Sequence, residues 1–168
     1  MIRRVVLALL LSAAALAQAQ TGRAPVNPLI DYDAFAAHVA AVQRVRESRR
    51  ISEAEFMRMA REPGTVVLDA RSERLYALRH VKGAVNLSFP EFTEASLAHA
   101  IPRKDTRILI YCNNNFENDA PPVVLKRIQL ALNIQTFINL YGYGYKNVYE
   151  LGDVVNFNDP KVRWVRGS

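Results

Sequence analysis

The chain has a single cysteine, Cys112, and it closes a run of apolar β-formers, Ile108-Leu-Ile-Tyr111. A thiol between a buried strand and the start of a helix faces a loop whose successive N–H groups can curl inward. Such a nest, with the positive end of the helix, favours an anion and therefore the nucleophilic thiolate. The competing reading is an inert cysteine at the end of a core strand. With one cysteine no intramolecular disulfide can form, so oxidation would stop at a sulfenic acid or a mixed disulfide. The loop itself reads Cys112-Asn-Asn-Asn-Phe-Glu-Asn-Asp119, with no glycine, no base and two acids, Glu117 and Asp119. Negative charge there raises a thiol pKa and opposes an anionic donor. Asparagine tolerates left-handed backbone better than most residues. The amides of Asn113, Asn114 and Asn115 can also donate hydrogen bonds to a substrate. Metal chemistry finds no support, because His38, His80, His99 and Cys112 lack ligand spacing. No cofactor is implied.

The elements that must position Cys112 follow from periodicity. Phe35, Val39, Val42 and Val45 recur at spacings of three and four, predicting a helix over 31–48. Its basic end, Arg44 to Arg50, reads as a solvated face. Ser52 with Glu55 forms a capping box that opens a short helix to about residue 61, stopped by Pro63-Gly64. Strands are predicted over 65–70, 84–87, 107–111 and 147–151. Helices are predicted over 72–79, 90–100 and 123–140, the last capped by Asp119 and opened by Pro121-Pro122. The Tyr141-Gly-Tyr-Gly-Tyr145 run breaks it, and its tyrosines read as half-buried packing. The tail through Trp164 reads as irregular. Alternating strands and helices make an α/β fold with a mainly parallel sheet covered by helices on both faces. Ligands of such sheets sit beyond the carboxyl ends of the strands, where Asp69, Arg71 and Cys112 all fall.

Residues 1–19 read as a secretory signal peptide. Arg3 and Arg4 precede a nearly all-apolar core, and Ala17-Gln-Ala19 supplies small residues for cleavage. The core is too short to span a bilayer, which takes roughly 20 apolar residues, so no stable membrane insertion is expected after cleavage. The expected location is periplasmic or secreted. Residues 20–30 read as a linker and 31–50 as an N-terminal helical extension. The formal charge of +6 is spread along the 168 residues. It falls short of the one-sided basic patch that nucleic acid requires.

Several separated motifs resemble the rhodanese-like domains and place such a domain over residues 51–165. They are Val67-Leu-Asp-Ala-Arg-Ser72, Tyr76, His80-Val-Lys-Gly-Ala-Val-Asn-Leu87, Ile108-Leu-Ile-Tyr-Cys112 and Gly144-Tyr-Lys-Asn-Val-Tyr-Glu-Leu151. The resemblance implies transfer of sulfane sulfur. Cys112 would be the nucleophile and persulfide carrier, and the backbone amides from Asn113 through Asn114, Asn115, Phe116 and Glu117 to Asn118 would cradle the substrate. A small sulfur donor or a protein thiol would be the partner. Asp69 and Arg71 would support the loop and the sheet edge as a structural pair, and His80 would be structural. Active members usually carry a glycine and a base in the loop, so a non-catalytic binding module stays open as the alternative. The phosphatases that share this fold need an arginine where Asn118 stands, which argues against phosphate chemistry.

Overall fold

The computed structural model describes residues 26–117, 124–156 and 158–166. The stretches read as a leader and as the first part of a linker therefore lie outside the described residues, as do Asn118, Asp119, Pro121 and Pro122. The described residues up to Tyr32 belong to a separate unit, in which a turn closes from the Ile30 N–H to the Asn27 carbonyl at 3.1 Å.

The second unit is built on a five-stranded sheet. Its strands are β1 (Arg50–Ile51), β2 (Thr65–Asp69), β4 (Val85–Asn86), β5 (Arg107–Tyr111) and β6 (Val148–Leu151), ordered β1-β6-β5-β2-β4. Every pairing in it is parallel. A separate antiparallel pair joins β3 (His80–Val81) to β7 (Trp164–Val165). The tail expected to be irregular thus contributes a strand, and its Arg163 carbonyl accepts from the Lys82 N–H at 2.8 Å.

Among the described residues five α-helices accompany the strands: α1 (Tyr32–Ser48), α2 (Glu53–Met59), α3 (Glu73–Leu78), α4 (Glu94–Ala100) and α5 (Leu132–Gly142). Alternation along the strands sorts the core into two layers. Leu68, Ile108, Ile110 and Val148 face Leu97 of α4, Ile101 just after it, and Phe137 and Leu140 of α5. Val67, Leu109, Tyr111 and Leu151 face Phe56 and Met59 of α2, with Phe116 and Val162. Both faces of the sheet are covered, as the alternation of elements predicts. Of the stripe read in α1, only Val42 is fully buried, and Phe35 stays 49% exposed.

Two local readings change. Ser52 caps α2 by accepting from the Glu55 N–H at 3.3 Å. The Glu55 carboxylate turns to Arg58 instead of reaching back, so only half of the expected box forms. The helix expected over 123–140 begins only at Leu132, after a 3-10 turn at Ile128–Leu130. The reason lies in the asparagine loop. The Asn114 amide donates to the Lys126 carbonyl at 2.8 Å and accepts from the Lys126 N–H at 3.1 Å, while Asn113 donates to the Val124 carbonyl at 3.0 Å. Side chains that satisfy backbone groups in this way compete with helical bonds. At the other end α5 stops as expected: Gly144 takes φ +90°, and the Tyr145 N–H returns to the Leu140 carbonyl at 3.0 Å.

Candidate functional site

Cys112 follows the central strand β5 and is 1% exposed. It alternates with Tyr111, so it shares the face of Ile110 and looks toward the start of α5. The backbone N–H groups of Asn133, Asn114 and Leu132 lie close enough to its sulfur to favour the charged form. This cradle differs from the expected one. The N–H of Asn115 goes to the Cys112 carbonyl, that of Phe116 to the Asn113 carbonyl and that of Glu117 to the Val155 carbonyl. Three of the donors that the sequence reading assigned to a substrate, those of Asn115, Phe116 and Glu117, are thus spent on the chain itself, Asn114 keeps its place at the thiol, and the start of α5 supplies the other two.

The asparagine amides are likewise committed. Asn115, 5% exposed, is the hub. Its Oδ1 accepts from the Cys112 N–H at 3.0 Å and from Asn133 Nδ2 at 2.9 Å. Its Nδ2 donates to the carbonyls of Leu151 at 2.9 Å and Asp153 at 3.0 Å. Its own carbonyl takes the Val155 N–H at 2.7 Å. This one side chain ties the thiol loop to the end of β6 and to α5. Asn113 Oδ1 is buried without a partner among the described residues.

Electrostatics at the thiol run against the expected thiolate. Burial pushes the Cys112 pKa up, and the Asn133, Asn114 and Leu132 amides only partly offset it. Glu150 adds to the rise. In register Glu150 sits beside Ile110, so it shares the face of Cys112. Its carboxylate is 4% exposed as a residue and meets Arg46 Nη2 of α1 at 2.6 Å. Burial raises the Glu150 pKa as well, against the pull of Arg46. Sequence reading missed Glu150, since one acid in an edge-like strand gives no signal of a cation arriving from α1.

Asp69 and Arg71 lie on the other face. Asp69 pairs in register with Tyr111. Arg71 holds Asp69 through Nε at 2.9 Å and Nη2 at 2.6 Å, and donates to the Arg79 carbonyl at 2.6 Å. The Tyr111 hydroxyl donates to Asp69 at 2.6 Å and accepts the Val81 N–H at 3.1 Å. Burial works to lower the Arg71 pKa, and the bonds to Asp69 outweigh it. This buried network fastens β3 and α3 to the ends of β2 and β5. His80 bonds the Tyr76 carbonyl through Nδ1 at 2.8 Å and stacks on the Tyr76 ring at 3.7 Å, which is a structural role.

The sequence profile of the rhodanese-like domain matches residues 52–157, more than half of the chain. The chain belongs to the rhodanese-like domain family. Thiosulfate sulfurtransferase PspE of Escherichia coli (strain K12) is 26% identical over 96 residues, covering 57% of this chain and 77% of that protein. Among solved structures, the rhodanese-like domain of the Alr3790 protein from Anabaena sp. aligns with TM-score 0.51 at 16% identity, covering 70% of this chain and 79% of that one. A thiosulfate sulfurtransferase from Pseudomonas aeruginosa aligns over 79% of this chain and 19% of its own, with TM-score 0.41 and 20% identity. The rhodanese-like domain defined by the profile starts at the cap of α2 and takes in every strand of the sheet except β1.

Two cavities lie beside the loop that follows the thiol, neither lined by Cys112 itself. One, of about 560 Å³, has Asn113, Leu132, Phe89 and Arg74 in its wall. The other, of about 240 Å³, includes Asn114, Asn133, Arg46 and Glu150. The first shares Leu132 with the cradle, and the second shares Asn114 and Asn133. Among the described residues no three His, Cys, Asp or Glu side chains gather as for a metal. Among them, too, no helix is long and apolar enough to cross a membrane.

Proposed function

We propose that this rhodanese-like domain transfers sulfane sulfur through Cys112. The observation that carries the reading is the placement of a lone thiol at the end of the central strand, facing three converging backbone N–H groups. Donors fixed in this way stabilise negative sulfur without having to reorganise. The thiolate attacks the sulfane sulfur of a donor such as thiosulfate. The sulfur–sulfur bond to sulfite breaks, sulfite leaves with the electron pair, and Cys112 carries a persulfide. An acceptor nucleophile, cyanide or a protein thiolate, then takes the outer sulfur and returns the Cys112 thiolate. The sulfurtransferase name of the PspE relative supports this class of reaction. The leader over 1–19 supports a periplasmic or secreted site of action, where the partner is a small sulfur donor or a protein thiol.

A second reading, a non-catalytic binding module, draws on the burial of Cys112 and on the commitment of all three asparagine amides to the protein. Intact mass separates the two. Reduced protein incubated with a sulfane donor should gain one sulfur atom, lose it to cyanide, and show no gain as Cys112→Ala. Absence of any gain across donors, with the thiol still open to alkylation, would favour the binding module.

A further inference from the structure

The smaller cavity beside the asparagine loop collects buried polar atoms that the chain leaves without partners. Glu150 and Asn133 line it, and both are more than nine-tenths buried. Glu150 Oε1 takes Arg46 Nη2 at 2.6 Å. Among the described residues Glu150 Oε2, Asn133 Oδ1 and Arg46 Nε make no hydrogen bond. Turning the Asn133 amide over does not repair this. Asn115 Nδ2 is fixed by the Leu151 and Asp153 carbonyls, so Asn115 Oδ1 faces Asn133, which must present Nδ2 to it. Buried polar atoms are nearly always paired, so two acceptors and one donor on one cavity call for an occupant. The volume of about 240 Å³ is several times the roughly 30 Å³ of a single water. It is also below the roughly 300–1,000 Å³ of larger organic ligands.

Charge narrows the class. The charged side chains of the lining are Glu150, Arg46 and Arg50, one acid against two bases. Arg50 is exposed and acts on the Glu150 carboxylate through space, which puts it at the mouth. A bare amine cation would meet the excess of positive charge, and a bare carboxylate would be pressed against two acceptors. A zwitterion answers both, because an ammonium offers only donors and a carboxylate only acceptors. Ile128, Ala131, Ile134 and Leu151 form the rest of the wall, where a charged side chain would lose its hydration. We infer that this cavity is a second ligand site that takes a small α-amino acid with a short uncharged side chain, its ammonium on Glu150 Oε2 and Asn133 Oδ1 and its carboxylate on Arg46 Nε and Arg50. The assignment is independent of the sulfurtransfer reading, since Cys112 does not line this cavity.

The test is a titration of L-alanine into isotopically labelled protein, followed through the backbone and side-chain amide signals of Asn114 and Asn133. L-Alaninamide, which lacks the carboxylate, and N-acetyl-L-alanine, which lacks the ammonium, are titrated in parallel. Alanine should shift these signals saturably, and each derivative should bind at least tenfold more weakly. Arg50→Gln, a change at an exposed side chain, should weaken alanine several-fold and leave alaninamide unchanged. Glu150→Gln should weaken alanine and alaninamide alike. Either derivative binding as tightly as alanine would overturn the zwitterion assignment, as would an alanine affinity unmoved in both variants. Shifts that never saturate, or that bypass Asn114 and Asn133, would mean that the cavity holds water only and would remove the site.

Discussion

Replacing Asn115 with alanine should destabilise the domain far more than the same change one residue earlier. The Asn115 side chain makes four hydrogen bonds, and all four run within the buried junction of loop, β6 and α5. A typical bond of this kind is worth about 1 kcal/mol net. Alanine also leaves the Cys112 N–H facing no acceptor, and an orphaned buried donor costs about 1–3 kcal/mol. The expected loss for Asn115→Ala is therefore about 3–5 kcal/mol, a large share of the roughly 5–15 kcal/mol of a whole domain. Asn114 bonds only Lys126, at an exposed site where water can substitute, so Asn114→Ala should cost less than about 1 kcal/mol. Urea unfolding followed by circular dichroism measures both. Asn115→Asp adds a control. It keeps Oδ1 but turns an acceptor toward the Leu151 and Asp153 carbonyls, so its deficit should narrow in acid as protonation restores a donor. Equal midpoints for the two alanine variants, or an Asn115→Ala loss under about 1 kcal/mol, would refute the hub role.

Further outcomes are expected. Iodoacetamide should modify Cys112 slowly at neutral pH, with a rate that climbs above the ordinary thiol range, because burial and Glu150 hold the thiol protonated. The linked stability has the matching sign: a folded pKa above the unfolded one gives stability that is complete below the unfolded pKa and falls as pH rises through the folded one. Glu150→Gln should speed alkylation at neutral pH by a few-fold, since one pKa unit is a tenfold change in thiolate, and an unchanged pH profile would count against the coupling. Arg71→Met should cost about 3–5 kcal/mol, as it leaves Asp69 buried without its cation. Tyr111→Phe should cost about 1–3 kcal/mol by orphaning the Val81 N–H, and thermal melts would check both. Gly144→Ala should cost about 1–2 kcal/mol through left-handed strain alone, since nothing but the Lys104 side chain comes within 4 Å of the new Cβ.

Runs of buried β-formers were legible wherever a strand is covered on both faces, as at Val66-Val-Leu68 and Ile108-Leu-Ile110. The strand-end position of Cys112 followed from them, while the pairing of Asp69 with Arg71 came from the family resemblance. What stayed hidden depends on distant partners. Arg50 and Ile51 are a strand only because β6 lies beside them, and Trp164 and Val165 only because β3 does. Val124, Leu125, Ile128 and Leu130 suggested a longer helix by their apolar character, yet each is exposed, and the Asn113 and Asn114 side chains hold the first part of that stretch out of helix. Periodicity reports which residues seek burial. It does not say that three asparagines will spend their amides on the chain itself, nor that Arg46 will come to rest on Glu150.

The strand order has a consequence for how the chain reaches this state. The strand that precedes the rest of the sheet, β1, pairs only with β6, so Arg50 must wait for Glu150. A chain leaving the ribosome can assemble β2 with β5 at an intermediate length, but its first edge stays open until residue 151 has emerged. Non-local pairing of this kind slows folding and leaves strand edges exposed meanwhile. Chain ends of the sheet, rather than its centre, should therefore set the last step of assembly. A nascent chain halted before β6 should expose the same surface that the finished protein closes with a few hydrogen bonds.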